Sequence, residues 1–259
     1  MKKPSCPSYK TGPAFTLIEL LVVIGIIALL ASMIFPAIMI IKTKVKVGLA
    51  QSQEGLIVMG IHRYEAEYGR LPSSSDAVNA AVAAGEDFTF GGTFKTPGGA
   101  TFDVTSPSAV SSKYKASNAE IMIVLFDMDK YPNLGHVRNP KRNRGYVDAQ
   151  FVSDTVSPGI GSDSVFRDPW GDPYVITFDF NSDGKTRDAF YRTYSVSQIT
   201  AGQPAGHVGL FNSVDPAGNG DHYECNAPVT VWSAGPDGMI DLNNKANTGA
   251  NKDNIVSWK

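Results

Sequence analysis

From Phe15 to Ile41 the sequence is apolar and carries a single charge, Glu19. The uncharged part, Leu20 to Ile41, would span about 30 Å as an α-helix, the thickness of a bilayer's hydrocarbon core. Such a run has few destinations: a membrane, a cleaved signal, or a place among apolar neighbours. Met1 to Ala14, ahead of it, is short and polar, and Pro4, Pro7, Gly12 and Pro13 oppose a helix there. Lys2, Lys3 and Lys10 precede the run and Lys42, Lys44 and Lys46 follow it, so flanking charge alone sets no orientation.

Three readings of the run compete. A secretory signal peptide would be cut after a small residue near Ala37. A plain anchor would be kept. A prepilin would be cut just ahead of the run. Glu19 discriminates between them. A carboxylate inside an apolar helix costs roughly 2.5–3.5 kcal/mol on insertion scales, and the first two readings gain nothing from it. Cleavage before Phe15 would free an α-amino group four residues from Glu19. Between neighbouring subunits of a filament that amine can pair with the carboxylate in a low-dielectric setting, where pairing matters most.

The segment Ala14-Phe15-Thr16-Leu17-Ile18-Glu19-Leu20 resembles the processing site of type IV pilins and pseudopilins. The resemblance implies cleavage between Ala14 and Phe15 by a prepilin peptidase, N-methylation of Phe15, and assembly through Glu19. Pro36 falls where many members carry a helix-breaking proline. Ala14 departs from the family's usual glycine, and Gly12 is a poor alternative because it would leave Pro13 as the new terminus. The leader, 1–14, contains Cys6, so the mature chain keeps only Cys225 and no intrachain disulfide is expected.

Residues 15–41 are therefore expected to form the membrane and filament-core helix, and 42–70 its amphipathic continuation. Val45, Leu49, Ser52, Leu56 and Met59 recur at helical spacing and are read as the stripe that packs on a sheet. Tyr64 and Tyr68 extend the helix; Gly69 and Leu71-Pro72 end it. Residues 71–164 are read as a variable region. Ser73 to Ser112, rich in Gly, Ala, Ser and Thr, is expected to be loop with short strands at Phe88–Phe90 and Thr93–Phe94. A helix is expected near Asn118–Asp127, boxed by Ser117 and Glu120. Residues 165–259 read as a β-rich domain. Its strands are expected at Tyr174–Phe178, at Ala189–Val196 as the hairpin partner, and at Pro228–Trp232.

Asp168-Pro169-Trp170-Gly171-Asp172-Pro173-Tyr174 resembles the DPWG signature of major pseudopilins of type II secretion. Two prolines and a glycine force a turn, and Trp170 is expected to plug the sheet against the long helix. Trp232 to Gly238 and Asp253 to Trp258 resemble two segments that in this family fold around calcium. Carried over, Asp237 and Asp253 would supply carboxylates, with the Ala234 carbonyl nearby and Asn254 or Ser257 as further ligands; a metal-free turn is the alternative. Asp179, Asn181 and Asp183, followed by Gly184, match the front half of an EF-hand-like loop. Phe190 occupies the place of its closing acid, which Asp188 could fill only with different geometry, and a plain hairpin turn fits equally well.

Enzyme signals are weak. His222-Tyr223-Glu224-Cys225 has no second pair at ligand spacing, and no phosphate-binding, dinucleotide or nucleophile-elbow motif occurs. The net charge is −2, and Lys141–Arg144 is only a small basic cluster, so nucleic acid is not an expected partner. The expected fold is α+β and type IV pilin-like: a long N-terminal helix on a small antiparallel sheet with a C-terminal loop region. The expected role is a non-enzymatic pseudopilin in the inner membrane, then in a periplasmic pseudopilus. Its partners would be prepilin peptidase, copies of itself, other pseudopilins and the assembly platform. A type IV pilin, or a membrane-anchored binding protein or enzyme, remains open.

Overall fold

The computed structural model describes residues 15–136 and 145–258, without the side chains of 36 and 37. The expectations for Ala14, Cys6 and the leader, for the Pro36 side chain and for Lys141–Arg144 fall outside the described residues. The chain divides into two compact units, Met1–Val45 and Lys46–Lys259, and helix α1 (Leu17–Tyr68) contributes to both.

In the first unit, α1 starts in a capping box. Glu19 N–H donates to Thr16 Oγ1 (3.3 Å), and Glu19 Oε2 accepts from Thr16 N–H (2.9 Å) and Thr16 Oγ1 (2.7 Å). Glu19 thus has a local task in any helix that begins here, a plain anchor included. By length and composition the helix can cross a membrane, and none of its most apolar window is buried within the chain.

In the second unit, α1 buries Ala50, Glu54, Ile57, Ile61 and Tyr64, again at helical spacing. This corrects the expected stripe: Val45, Leu49, Leu56 and Met59 lie on the exposed side. Both faces carry the period. The buried one was hidden because it runs through a small residue, Ala50, and a carboxylate, Glu54.

The segment expected to be mostly loop opens with a capped helix, α2 (Ser75–Ala84). Ser74 Oγ accepts from Ala77 N–H at 3.1 Å, and Gly85 ends the helix at φ 63°. Strands β1 (Phe88–Phe90), β2 (Thr93–Lys95) and β3 (Thr101–Asp103) follow, then a short turn of helix, α3 (Ser108–Ser111). Helix α4 (Ala119–Leu125) forms near the expected place, but without the expected box. Glu120 Oε1 instead accepts from Ser74 N–H (2.7 Å) and Oε2 from the Tyr114 hydroxyl (2.8 Å), tying α4 to the start of α2.

After β4 (Gly159–Ile160) and β5 (Phe166–Arg167) comes β6 (Val175–Phe178), the expected first strand. Ala189–Val196 is not its hairpin partner. Asp188 Oδ1 accepts from the N–H groups of Phe190 (2.9 Å) and Tyr191 (3.0 Å), which turns the chain and buries both rings, and α5 (Tyr194–Ser197) follows. Then come β7 (Phe211–Asn212), β8 (Tyr223–Glu224), β9 (Val229–Ser233) and β10 (Ile255–Val256).

The main sheet is antiparallel in the order β1-β6-β9-β10, with Phe88 opposite Phe178, Val175 opposite Trp232 and Ile255 opposite Ser233. Both of its faces are covered. Tyr174, Ile176, Phe178, Val229 and Val231 pack with Ile57, Ile61 and Tyr64 of α1. Val175 and Trp232, of opposite parity, pack with Phe94, Phe190, Tyr191 and Ile240. The result is α+β with a long apolar N-terminal helix and small antiparallel sheets.

Candidate functional site

The turn at Asp168-Pro169-Trp170-Gly171 is built around one buried acid. Asp168 Oδ1 accepts from the N–H groups of Trp170 (2.9 Å), Gly171 (2.9 Å) and Asp172 (3.0 Å), and its Oδ2 accepts from the Ser233 hydroxyl. Burial pushes the Asp168 carboxyl up, and these donors counter that only in part. The turn therefore joins β9 to the loop before β6.

Trp170 does not plug the sheet. It is half-buried, with the Lys46 ammonium 5.7 Å from its ring centre while that same ammonium donates to the Pro169 carbonyl at 2.7 Å. The buried tryptophan is Trp232, fully enclosed, whose Nε1–H donates to Asp188 Oδ2 at 3.0 Å. Tyr174 makes the link to the helix, donating its hydroxyl to Gln53 Oε1 at 2.7 Å.

The structure brings part of the expected calcium set together. Ala234 is buried and leads into a 3₁₀ turn over Gly235–Asp237, which packs on a second such turn over Gly249–Asp253. The approach is so close that a Cβ on Gly235, already at φ 71°, would overlap the Asp253 carbonyl oxygen. Burial, and next the charge of Asp237, push the Asp253 carboxyl up, which marks two carboxylates close enough to repel. Asp237 is exposed and accepts from Met239 N–H at 2.9 Å.

Ser257 is committed elsewhere: it continues the sheet edge, its N–H donating to Val231 O and its Oγ accepting from Val231 N–H, both at 2.9 Å. Asn254 Nδ2 donates to the Tyr191 hydroxyl at 3.1 Å, leaving Oδ1 buried without a partner; Asp253 Oδ1 is also buried and unpartnered. The orphaned Asp253 oxygen and the Asp237 carboxylate whose charge it feels are oxygen donors of the type a hard cation takes. Of the further ligands the resemblance implies, Ser257 already gives one Oγ lone pair to Val231 N–H. Among the described residues no group of three or more His, Cys, Asp or Glu side chains is placed to hold a metal ion.

The second loop satisfies itself. Asp179 accepts from the N–H groups of Ser182 (2.6 Å) and Gly184 (2.8 Å), and Asn181 Oδ1 accepts from Asp183 N–H (3.0 Å). Asp188, the substitute for the missing closing acid, is buried under Trp232 and also accepts from Thr177 Oγ1 at 2.7 Å, so it cannot reach a loop ion. The geometry is that of a side-chain-stabilised turn. His222, Glu224 and Cys225 form no metal cluster, and burial pushes the Cys225 thiol up to about 11, which leaves it inert at neutral pH.

One buried group was not anticipated. Glu54 of α1 is 1% exposed, and its Oε1 has no hydrogen-bond partner. Desolvation first, and the nearby Asp168 second, push its carboxyl up to about 9. The sequence carried no signal for it, because the stripe read as buried runs along the other face of α1. Comparison with protein-family models, curated proteins and solved structures finds no match to this chain.

Proposed function

We propose that this chain is a structural filament subunit of the type IV pilin-like class, and specifically a pseudopilin of a type II secretion system. The observation that carries the reading is the start of α1. A carboxylate is held at the head of an apolar helix whose side chains from Phe15 to Ile41 the chain leaves largely uncovered. Such a surface needs lipid or other helices, and a filament of such helices supplies both in turn. The Asp168 turn and the two closing segments favour a pseudopilin over a pilin for adhesion, motility or DNA uptake. A membrane-anchored binding protein or enzyme would need the helix but not a free Phe15 amine.

In this reading the precursor enters the inner membrane and prepilin peptidase removes residues 1–14. The mature chain then joins other pseudopilins at the assembly platform to form a periplasmic filament. Mass spectrometry of the protein from its native membrane should find a mature terminus at Phe15, carrying one methyl group. A terminus at Met1, or one near Ala37, would rule the reading out.

Calcium belongs to the same proposal, held by Asp237 and Asp253 with the Ala234 carbonyl. Adding calcium at about 100 times Kd to the full chain in detergent should raise Tm by roughly 5–10 °C over the chelated protein. An Asp237→Asn variant should lose that shift. Equal melting with calcium and with chelator would remove the ion from the proposal and leave the filament reading standing.

A further inference from the structure

Lys46 and Trp170 form a clamp on the surface of the second unit. The Lys46 ammonium donates to the Pro169 carbonyl at 2.7 Å and lies 5.7 Å from the Trp170 ring centre. A carbonyl is neutral, so the exposed Lys46 keeps its charge and has two further N–H groups to offer. Trp170 is half-buried, unlike the enclosed Trp232. The loop that carries Val156 adjoins the turn: a Cβ on Gly171, at φ 101°, would overlap the Val156 carbonyl oxygen. Val156 itself is 71% exposed. A cation, an indole and a bare valine thus sit on adjoining segments, and none of the three belongs to either core.

Lys46 is five residues after Ile41, where the apolar run ends, with Lys42 and Lys44 in the same interval. Five residues of helix advance about 8 Å, close to the depth of one headgroup layer. Tryptophan concentrates in that layer because its apolar body suits the acyl boundary and its N–H suits the wet side. Lysine there is drawn to anionic lipid. Asp154 of the adjoining loop opposes that attraction, but its carboxylate is engaged locally. It accepts from the N–H groups of Val156 (2.8 Å) and Ser157 (2.6 Å) and from the Ser157 hydroxyl (2.7 Å).

We propose that the Lys46–Trp170 clamp is a docking surface for the anionic headgroups of the bilayer that holds the apolar run. The inference rests on the membrane reading of that run, and not on cleavage, filament assembly or calcium. Trp170 enters the ester layer and the Lys46 charge meets lipid phosphate, so the Pro-Trp-Gly turn has a task beyond its own fold. Lipid suits this surface better than a protein does. It follows the apolar run directly in sequence, and one part-exposed indole with one valine cannot supply the roughly 800 Å² per partner of a standard protein interface.

The test uses the full chain in vesicles of phosphatidylglycerol and phosphatidylcholine, with bromine near the headgroup of one lipid to quench tryptophan fluorescence. The chain has three tryptophans, and Trp170→Phe isolates the signal of Trp170 by difference. Brominated phosphatidylglycerol should quench Trp170 at least about twofold more than equally abundant brominated phosphatidylcholine. Lys46→Gln should lower that ratio, as should salt at about 1 M, where the Debye length is about 3 Å. In protein that floats with the vesicles, a Trp170 that neither lipid quenches would overturn the proposal and leave the membrane reading standing. Equal quenching by the two lipids, or a ratio indifferent to Lys46→Gln, would also overturn it. Shielding of Trp170 from aqueous acrylamide without lipid quenching would assign the surface to a protein partner instead. Protein that does not float with the vesicles would overturn the membrane reading and this inference together.

Discussion

Replacing Trp232 with alanine is expected to destabilise the second unit by about 3–5 kcal/mol, a fall in Tm of roughly 10 °C for a protein of this size. Trp232 is completely enclosed in the middle of β9. Its ring centre lies 5.5 Å from those of Phe94 and Phe190 and 5.4 Å from that of Tyr191. Those rings come from β2 and from the turn after Asp188, so one side chain joins segments far apart in sequence. Truncation opens a cavity among stiff aromatic groups that cannot collapse into it. It also removes one of the donors that hold Asp188.

Trp170→Ala is the matched control. That ring is half-buried under the Lys46 ammonium, so its loss should cost less than about 1.5 kcal/mol. Urea unfolding of the full chain in micelles compares the two. Equal losses would mean that the assignment of the buried tryptophan to Trp232 is mistaken.

The pair also shows what the sequence could and could not reveal. The Pro-Trp-Gly turn was legible because prolines and glycine constrain the backbone locally. Which tryptophan fills the core depends on the parity of β9 and on partners from distant segments. The long helix was legible to its end at Tyr68, but not which of its two periodic faces is buried. Glu54 made the true face look polar. Strands β6 and β9 announced themselves through β-branched and aromatic runs. Helix α2 did not, although Ser74 and Gly85 were readable caps, because its small residues resembled a loop. Ala189–Val196 alternated like a strand, yet Asp188 captures the next two amides and turns the chain.

The close approach of Gly235 to Asp253 joins two segments that the resemblance also pairs. Ser257, offered by the resemblance, has its backbone N–H and one Oγ lone pair bonded to Val231 at the sheet edge, a pairing that only the fold reveals. Glu54 entered no sequence motif at all. Its burial, with Asp168 nearby, comes from tertiary packing, which a linear reading cannot see.

Glu19 carries the largest functional expectation. Its capping contacts with Thr16 give it a reason to exist in a single chain, so an alanine substitution would mix the loss of a cap with the loss of a charge. Glu19→Gln separates them, because glutamine also serves in a capping box. The most direct measurement is filament assembly by Glu19→Gln, read by cross-linking between subunits in the native membrane, with processing at Phe15 followed in parallel. Insertion and processing should continue, and cross-linked filament should fall at least about tenfold, since breaking a charge pair in a low-dielectric interface costs more than about 1.4 kcal/mol. Full assembly by Glu19→Gln would contradict the filament account.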